Sequence, residues 1–279
     1  MQPGDVDRVN VLGVGISAID LDTAEQVIDA ALQNGNQSYV CVTSVHGIME
    51  AQKDPKFRSI LNQSLLTTPD GMPTVWVGKL QGFAQIDRVF GPDLMARICC
   101  LSEKKGYTHF LYGGARGTAE MLRSCLLAQY PALRITGTYT PPFRALNRQE
   151  EQELVGIVAR ARPDVLWVGL STPKQERFMA DYLGKLQTRL MIGVGAAFDF
   201  HTGRIKDAPQ WLKRAGLQWA HRLWQDPRRL FRRYLVNNSA FLLSAALQLS
   251  GLRKYNLPAP RVQHLRNGQA LVSPGSETL

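Results

Sequence analysis

The chain has 279 residues, 44% hydrophobic and 20% charged, which excludes a disordered chain and leaves ample length for a packed core. Its net charge of +10 points to an anionic partner: nucleic acid, a phosphorylated substrate or acidic lipid. Four cysteines without CxxC spacing exclude a disulfide framework or zinc module and fit free thiols in a reducing compartment. The opening MQPGDVDRVN has acids and no apolar h-region, so no signal peptide is expected, and the apolar run Ala240–Leu249 is too short to span a bilayer.

Taken in order, Val9–Val14 reads as a short strand and Asp20–Gln33 as a helix capped by Asp22 or Thr23. Tyr39–Val42 is a β-branched strand, Gly47–Asn62 has helical spacing, and Ser64–Thr68 is a strand running into the turn Pro69-Asp70-Gly71-Met72-Pro73. Pro92–Lys104 reads as a helix. A regular alternation follows: strand His109–Tyr112, helix Thr118–Gln129, strand Leu133–Tyr139, helix Arg148–Ala161, strand Val165–Gly169, helix Lys174–Leu186 and strand Leu190–Val194. That rhythm predicts an α/β fold, a Rossmann-like core with a mainly parallel sheet flanked by helices, over residues 1–203. Ligands in such sheets sit at the carboxyl ends of the strands, where Thr43, Asp70, Gly113, Ser171 and Gly195 all fall.

Beyond Gly203 the pattern changes. Trp211–Trp224 and Pro227–Leu235 read as basic, aromatic helices within an appendage spanning 204–251, and 252–279 reads as a flexible tail. Between His201 and Arg233 nine Lys/Arg face two acids, so this window carries +7 of the total charge. Basic amphipathic helices with Trp and Phe suit an anionic membrane interface; contact with a substrate phosphate or with nucleic acid is the alternative, the last without any accompanying motif.

The motifs each admit a bland reading. Gly13-Val-Gly15-Ile-Ser-Ala18 matches a loose dinucleotide pattern or a plain strand–turn. Gly113-Gly114 lies between a strand and a helix start, where backbone N–H groups and a positive dipole end suit a pyrophosphate; the same glycines serve a tight turn. The absence of a following Lys-Ser/Thr argues against a P-loop ATPase. Asp70 is either a turn residue or a general base held rigidly at a strand end. Ser171-Thr172-Pro173-Lys174-Gln175-Glu176 is either a capping turn or a polar ligand wall. The five histidines show no ligand spacing, so no metal site is expected.

In combination these pieces are more specific. The order Thr43, Pro69-Asp70-Gly71, Arg88-Val-Phe-Gly91-Pro-Asp93-Leu94, Gly113-Gly114, Pro173-Lys174-Gln175-Glu176, Gly193–Gly203, Ala208-Pro209 and Arg222-Leu-Trp-Gln-Asp-Pro227-Arg228-Arg229 resembles the WecG/TagA/CpsF family of glycosyltransferases (family 26), from about Val9 to Tyr234. The resemblance implies an inverting hexosyltransferase that moves a hexose or N-acetylhexosamine from a UDP-sugar to an undecaprenyl-diphosphate-linked saccharide in cell-surface or exopolysaccharide synthesis, with no cofactor and no required metal. It implies a peripheral protein on the cytoplasmic face of the plasma membrane whose partners are the UDP-sugar, the polyprenyl-diphosphate-linked acceptor and anionic lipid, with no nucleic acid and the oligomeric state open. It places Asp70 as catalytic base and Thr43 and Arg88 beside the sugar. Gly113, Gly114, Lys174 and Gln175 fall on the substrate site, Asp199 near the nucleotide base, and Arg222, Arg229 and Arg232 on the diphosphate. One position departs: where the family has Thr-x-Asn, this chain has Thr43-Ser44-Val45, so the donor stands open between UDP-glucose and UDP-ManNAc. The competing expectations are a non-enzymatic basic protein binding anionic lipid or nucleic acid, and an oxidoreductase using Gly13–Ala18.

Overall fold

A single six-stranded sheet carries the fold, and every pairing within it is parallel. The structure is a computed structural model that describes residues 6–258, 265–266 and 269–270; within these, the side chains of Gln210, Arg214, Arg229, Arg232, Arg233 and the last four residues lie outside the description. The strands are β3 (Ser38–Thr43), β4 (Leu66–Pro69), β5 (Thr108–Gly113), β6 (Arg134–Tyr139), β7 (Val165–Gly169) and β8 (Leu190–Gly193), in spatial order β4-β3-β8-β7-β5-β6. β3, β7 and β8 are buried along their whole length, which explains their continuous apolar character: both faces of a parallel sheet are covered.

Two apolar layers do the covering. On one face α1 (Leu21–Asn34), α5 (Gly91–Lys105), α6 (Thr118–Gln129) and α9 (Ala197–His201) pack around Ile28, Leu94, Leu122, Trp167 and Phe198. On the other lie α2 (Val45–Lys53), α3 (Pro55–Gln63), α4 (Met72–Leu80), α7 (Arg148–Ala161) and α8 (Lys174–Tyr182), with Ile48, Phe57, Val75, Leu154 and Phe178 inside. The basic appendage forms α10 (Gln210–Arg214), α11 (Gln218–Gln225) and the 23-residue α12 (Pro227–Leu249). Phe241 and Ala245 of α12 are buried in the second layer, so the appendage shares the core of the α/β unit. Two-residue strands β9 (Leu265–Arg266) and β10 (Gln269–Ala270) pair antiparallel.

The sequence-derived elements hold where periodicity is strong: α6, α7 and β7 have the expected bounds. Several others change for local reasons. The first strand is a hairpin, β1 (Arg8–Val11) and β2 (Val14–Ser17), turning through Leu12 (φ 54°) and Gly13 (φ 80°). Gly13 therefore joins two antiparallel strands and does not lead from a strand into a helix, which removes the geometry a dinucleotide loop requires. The expected helix Gly47–Asn62 is two helices, because Pro55 forces Asp54 into an extended conformation (φ −132°, ψ 102°). Asp54 then caps α3 through Lys56 N–H at 2.9 Å. Trp211–Trp224 breaks at Gly216 (φ 71°), and the cap of α1 is Asp20, accepting from Thr23 N–H at 2.8 Å. The turn after Asp70 starts α4, with Pro73 in its first turn.

Candidate active site

Strand pairing sets the first element of the site. β3 and β4 run side by side with Thr43 opposite Pro69, so the next residue, Asp70, leaves the sheet at its carboxyl edge. Its N–H donates to Thr43 O at 3.2 Å, and Val89 N–H donates to Pro69 O at 2.9 Å, which lays the Arg88 segment along the strand end. Arg88 Nε donates to Asp70 O at 3.0 Å, and the guanidinium stacks 4.2 Å from the centre of the Phe90 ring. Its Nη2 donates to Gln218 Oε1 on α11, so one arginine ties the strand end to the appendage.

The Asp70 carboxyl is held in an unusual balance. Its Oδ1 is buried and has no hydrogen-bond partner among the described residues. Desolvation pushes its pKa up from the ordinary carboxylate value, against Arg88, Arg222 and the Gly91 N–H at the start of α5, which favour the charged form. A carboxylate that is short of partners, with two cations nearby, suits the acceptance of a proton from a bound hydroxyl.

Asp70 opens into a cleft, partly open to solvent, between the α/β unit and the appendage. Arg88, Lys213 and Arg222 line it with Asp70, giving three cations to one carboxylate. Arg222 also lies 5.4 Å from the Phe200 ring, and Lys213 pairs with Asp207. α11 presents Gln218, Trp219 and Arg222, and α12 presents Leu230, Tyr234, Asn237 and Asn238, spacings that each fall on one helical face.

Of the residues singled out from sequence, Asp70, Arg88 and Arg222 meet in this cleft. Thr43 lies directly behind Asp70, buried, with its hydroxyl donating to Cys41 O at 3.3 Å. Arg229 and Arg232 belong to α12, but their side chains fall outside the described residues. The remaining five sit at the ends of β5, β7 and β8, away from the cleft lining. Gly114 N–H donates to Gly169 O at 2.9 Å, so this donor is already used inside the protein. Gly113 has φ 118°, and a Cβ there would stand 2.6 Å from Gly169 O, so close strand packing accounts for the glycine. Lys174 is exposed at the start of α8. Asp199 stands 4.0 Å from Arg204 Nε.

Gln175 is buried and braces two loops. Its Oε1 accepts from Gly195 N–H at 2.9 Å, and its Nε2 donates to Glu176 Oε1 at 3.1 Å. Glu176 Oε1 also accepts from Thr172 Oγ1 at 2.8 Å, while its Oε2 is buried without a partner among the described residues. Burial pushes the Glu176 pKa up to about 7.

Sequence reasoning passed over His46, Lys213, Gln218, Tyr234, Asn237 and Asn238 as cleft residues. The helix itself was legible beyond Leu235, since the apolar positions Leu230, Phe241 and Ala245, all buried, continue its period; which polar residues on it face the cleft was not. Val45 lines the cleft at the family's amide position, and the amides near it come from the appendage. Among the described residues no group of three or more His, Cys, Asp or Glu is placed to hold a metal ion, and no helix is long and apolar enough to cross a membrane.

The family model described as Glycosyl transferase WecG/TagA/CpsF matches residues 9–255. An N-acetylglucosaminyldiphosphoundecaprenol N-acetyl-beta-D-mannosaminyltransferase of Bacillus subtilis (strain 168) is 29% identical over 216 residues, covering 77% of this chain and 81% of the relative. The enzyme of the same name from Bacillus spizizenii is 29% identical over 186 residues, covering 67% and 70%. With a match that runs from the hairpin through α12, the chain belongs to the WecG/TagA/CpsF family of glycosyltransferases.

Proposed function

We propose that this glycosyltransferase moves a hexosyl or N-acetylhexosaminyl group from a UDP-sugar to a hydroxyl of an undecaprenyl-diphosphate-linked saccharide, with inversion. The observation that carries the reading is Asp70, a buried carboxyl with an unpartnered oxygen, in a cleft shared with Arg88 and Arg222. In this reading Asp70 accepts the proton of the attacking hydroxyl as its oxygen bonds to the anomeric carbon of the donor. The bond from that carbon to the β-phosphate oxygen breaks, and UDP leaves with the electron pair. Guanidinium groups neutralise diphosphate with paired, planar hydrogen bonds, a role that Arg88 and Arg222 can fill for donor or acceptor.

The relatives' names support the lipid-linked acceptor, since both are transferases acting on an undecaprenol-linked diphosphosugar. The appendage supports a peripheral membrane location, which this reading places on the cytoplasmic face. On α12, Phe231, Leu235, Leu242 and Leu249 are exposed at spacings that fall within one narrow stripe, and Trp224 on α11 is 82% exposed. Trp224 shares α11 with the cleft cation Arg222, and α12 packs against α11, which supports the arrival of a lipid-anchored diphosphate beside that cation.

The test is incubation with membranes bearing the lipid carrier and a panel of radiolabelled UDP-sugars, UDP-glucose and UDP-ManNAc among them. Labelled lipid is expected with one donor, and Asp70→Asn is expected to lower turnover about 10²–10⁴-fold while UDP binding survives. Full turnover by Asp70→Asn would remove Asp70 from its role. Absence of labelled lipid with every donor would overturn the function.

A further inference from the structure

One wall of the cleft is polar, and it spans the seam between the two parts of the chain. Asn237 on α12 is 7% exposed, and its Nδ2 lies 2.9 Å from Nδ1 of His46, the second residue of α2. His46 Nδ1 is also 3.9 Å from Glu50 one turn along α2. Both His46 and Asn237 line the cleft that holds Asp70, with the half-exposed Asn238 next to them.

A fastening between helices does not need such a pair. Leu230, Phe241 and Ala245 already bury the same face of α12 in apolar contacts. A buried amide paired with a partly buried imidazole carries a desolvation cost that an apolar pair avoids, so a merely structural seam would favour aliphatic side chains here. The chemistry of the proposed substrates supplies the missing reason. Arginines bind any diphosphate, but sugars differ in the placement of hydroxyl and N-acetyl groups, which are read by fixed hydrogen-bond donors and acceptors. An amide locked against an imidazole is such a reader. The helix that carries Asn237 also carries the exposed stripe Phe231, Leu235 and Leu242 on nearly its opposite side, so one helix turns apolar side chains outward and the amide into the cleft.

We propose that Asn237 and His46 are specificity-determining residues that hydrogen-bond the reacting sugar of the lipid-linked acceptor, while neighbouring cations hold its diphosphate. The inference deepens the transferase reading above and rests on it. The sugar site is then complete only when the appendage is docked.

The experiment uses the full chain, the donor that wild type accepts, and a short-chain polyprenyl-diphosphate acceptor. Initial rates are measured against each substrate for wild type, Asn237→Ala, Asn238→Ala and the double swap His46→Asn with Asn237→His, alongside melting temperatures. Asn237→Ala is expected to raise the acceptor KM about tenfold, the effect of one lost hydrogen bond to a buried partner, with the donor KM unmoved. The swap keeps a hydrogen bond across the seam and the melting temperature, yet leaves the acceptor KM raised. Should Asn237→Ala fail to fold, the swap carries the same acceptor-against-donor readout. An unmoved acceptor KM, a parallel rise in both KM values, or full kinetics restored by the swap would each overturn the proposal and leave a structural latch. A wild type that labels no acceptor overturns the transferase reading, and this inference with it; an active wild type with the wrong pattern overturns this inference alone.

Discussion

Replacing Glu176 with Gln is expected to stabilise the protein above neutral pH and to do little below pH 5. Glu176 is 1% exposed, its Oε1 accepts from Thr172 and Gln175, and its Oε2 is buried without a partner among the described residues. Burial raises its pKa from 4.5 to about 7. The folded state therefore binds this proton more tightly than the unfolded chain does. Stability is lost as pH rises from about 4.5 to about 7, because ionisation is then favoured only in the unfolded state. At about 1.4 kcal/mol per unit, the gap corresponds to an upper bound of roughly 3 kcal/mol at pH 8. Gln keeps an Oε1 acceptor for Thr172 and Gln175 and never ionises. Urea denaturation of wild type and Glu176→Gln at pH 5 and pH 8 measures the difference. The variant should gain about 1–3 kcal/mol at pH 8, or several degrees of melting temperature, and be near neutral at pH 5. Equal effects at both pH values would refute the reasoning, since an uncoupled packing change has no pH term.

Gly113→Ala should cost at least about 1–3 kcal/mol in thermal unfolding, because φ 118° is strained for alanine and its Cβ would meet Gly169 O at 2.6 Å. UDP affinity of the folded variant should be unchanged, and a selective loss of UDP binding would restore the phosphate-loop reading of this glycine. If Asp70 must be ionised to act, the acid limb of kcat/KM lies above the ordinary aspartate value, and activity falls as pH drops through it. Arg222→Gln removes a charge that favours the carboxylate and should move that limb to higher pH; a limb that stays put would separate Arg222 from the base. Leu235→Asp combined with Leu242→Asp should lower partitioning onto anionic vesicles more than tenfold, since burial of each leucine is worth about 1.5–3 kcal/mol. Turnover of a water-soluble acceptor should be unaffected, as measured by co-sedimentation and a parallel rate assay.

The sheet was legible because its strands are short, β-branched and separated by strongly periodic helices; α7 even carries its capping box, Asn147 with Glu150. What escaped was the work of single residues against the background pattern. Asp54-Pro55 splits one apparent helix because the residue before proline must be extended. Leu12 adopts φ 54° in a hairpin turn, a conformation with no signal in a leucine. The cleft was half legible. Asp70, Arg88 and Arg222 announce themselves by charge beside strand ends and prolines. Asn237 and His46 do not, since a polar residue on a mostly buried helix face looks the same in sequence whether it faces a neighbour, solvent or a ligand. Only the packing of α12 across α2 brings the two together.

That packing changes what the basic segment means. Composition shifts at Gly203–Arg204, as if an α/β enzyme ended there and an adhesive tail began. The cleft does not respect this boundary: half of its lining residues precede it and half follow. Arg88 reaches Gln218, His46 meets Asn237, and Gln248 near the end of α12 accepts from Leu12 N–H at 2.9 Å and donates to Asn10 O at 2.8 Å. The appendage is thus fastened through α11 and through the middle and C-terminal end of its long helix to the unit that carries Asp70. Its charge is divided as well. Lys213 and Arg222 turn into the cleft, whereas Arg228 is exposed beside the apolar stripe. A polymer of positive charge that served only to hold a membrane would gain nothing from placing cations 5–6 Å over Phe90 and Phe200 inside a cleft. The division follows if one helical layer lines the catalytic cleft on its inner face and leaves its apolar stripe on the outer one.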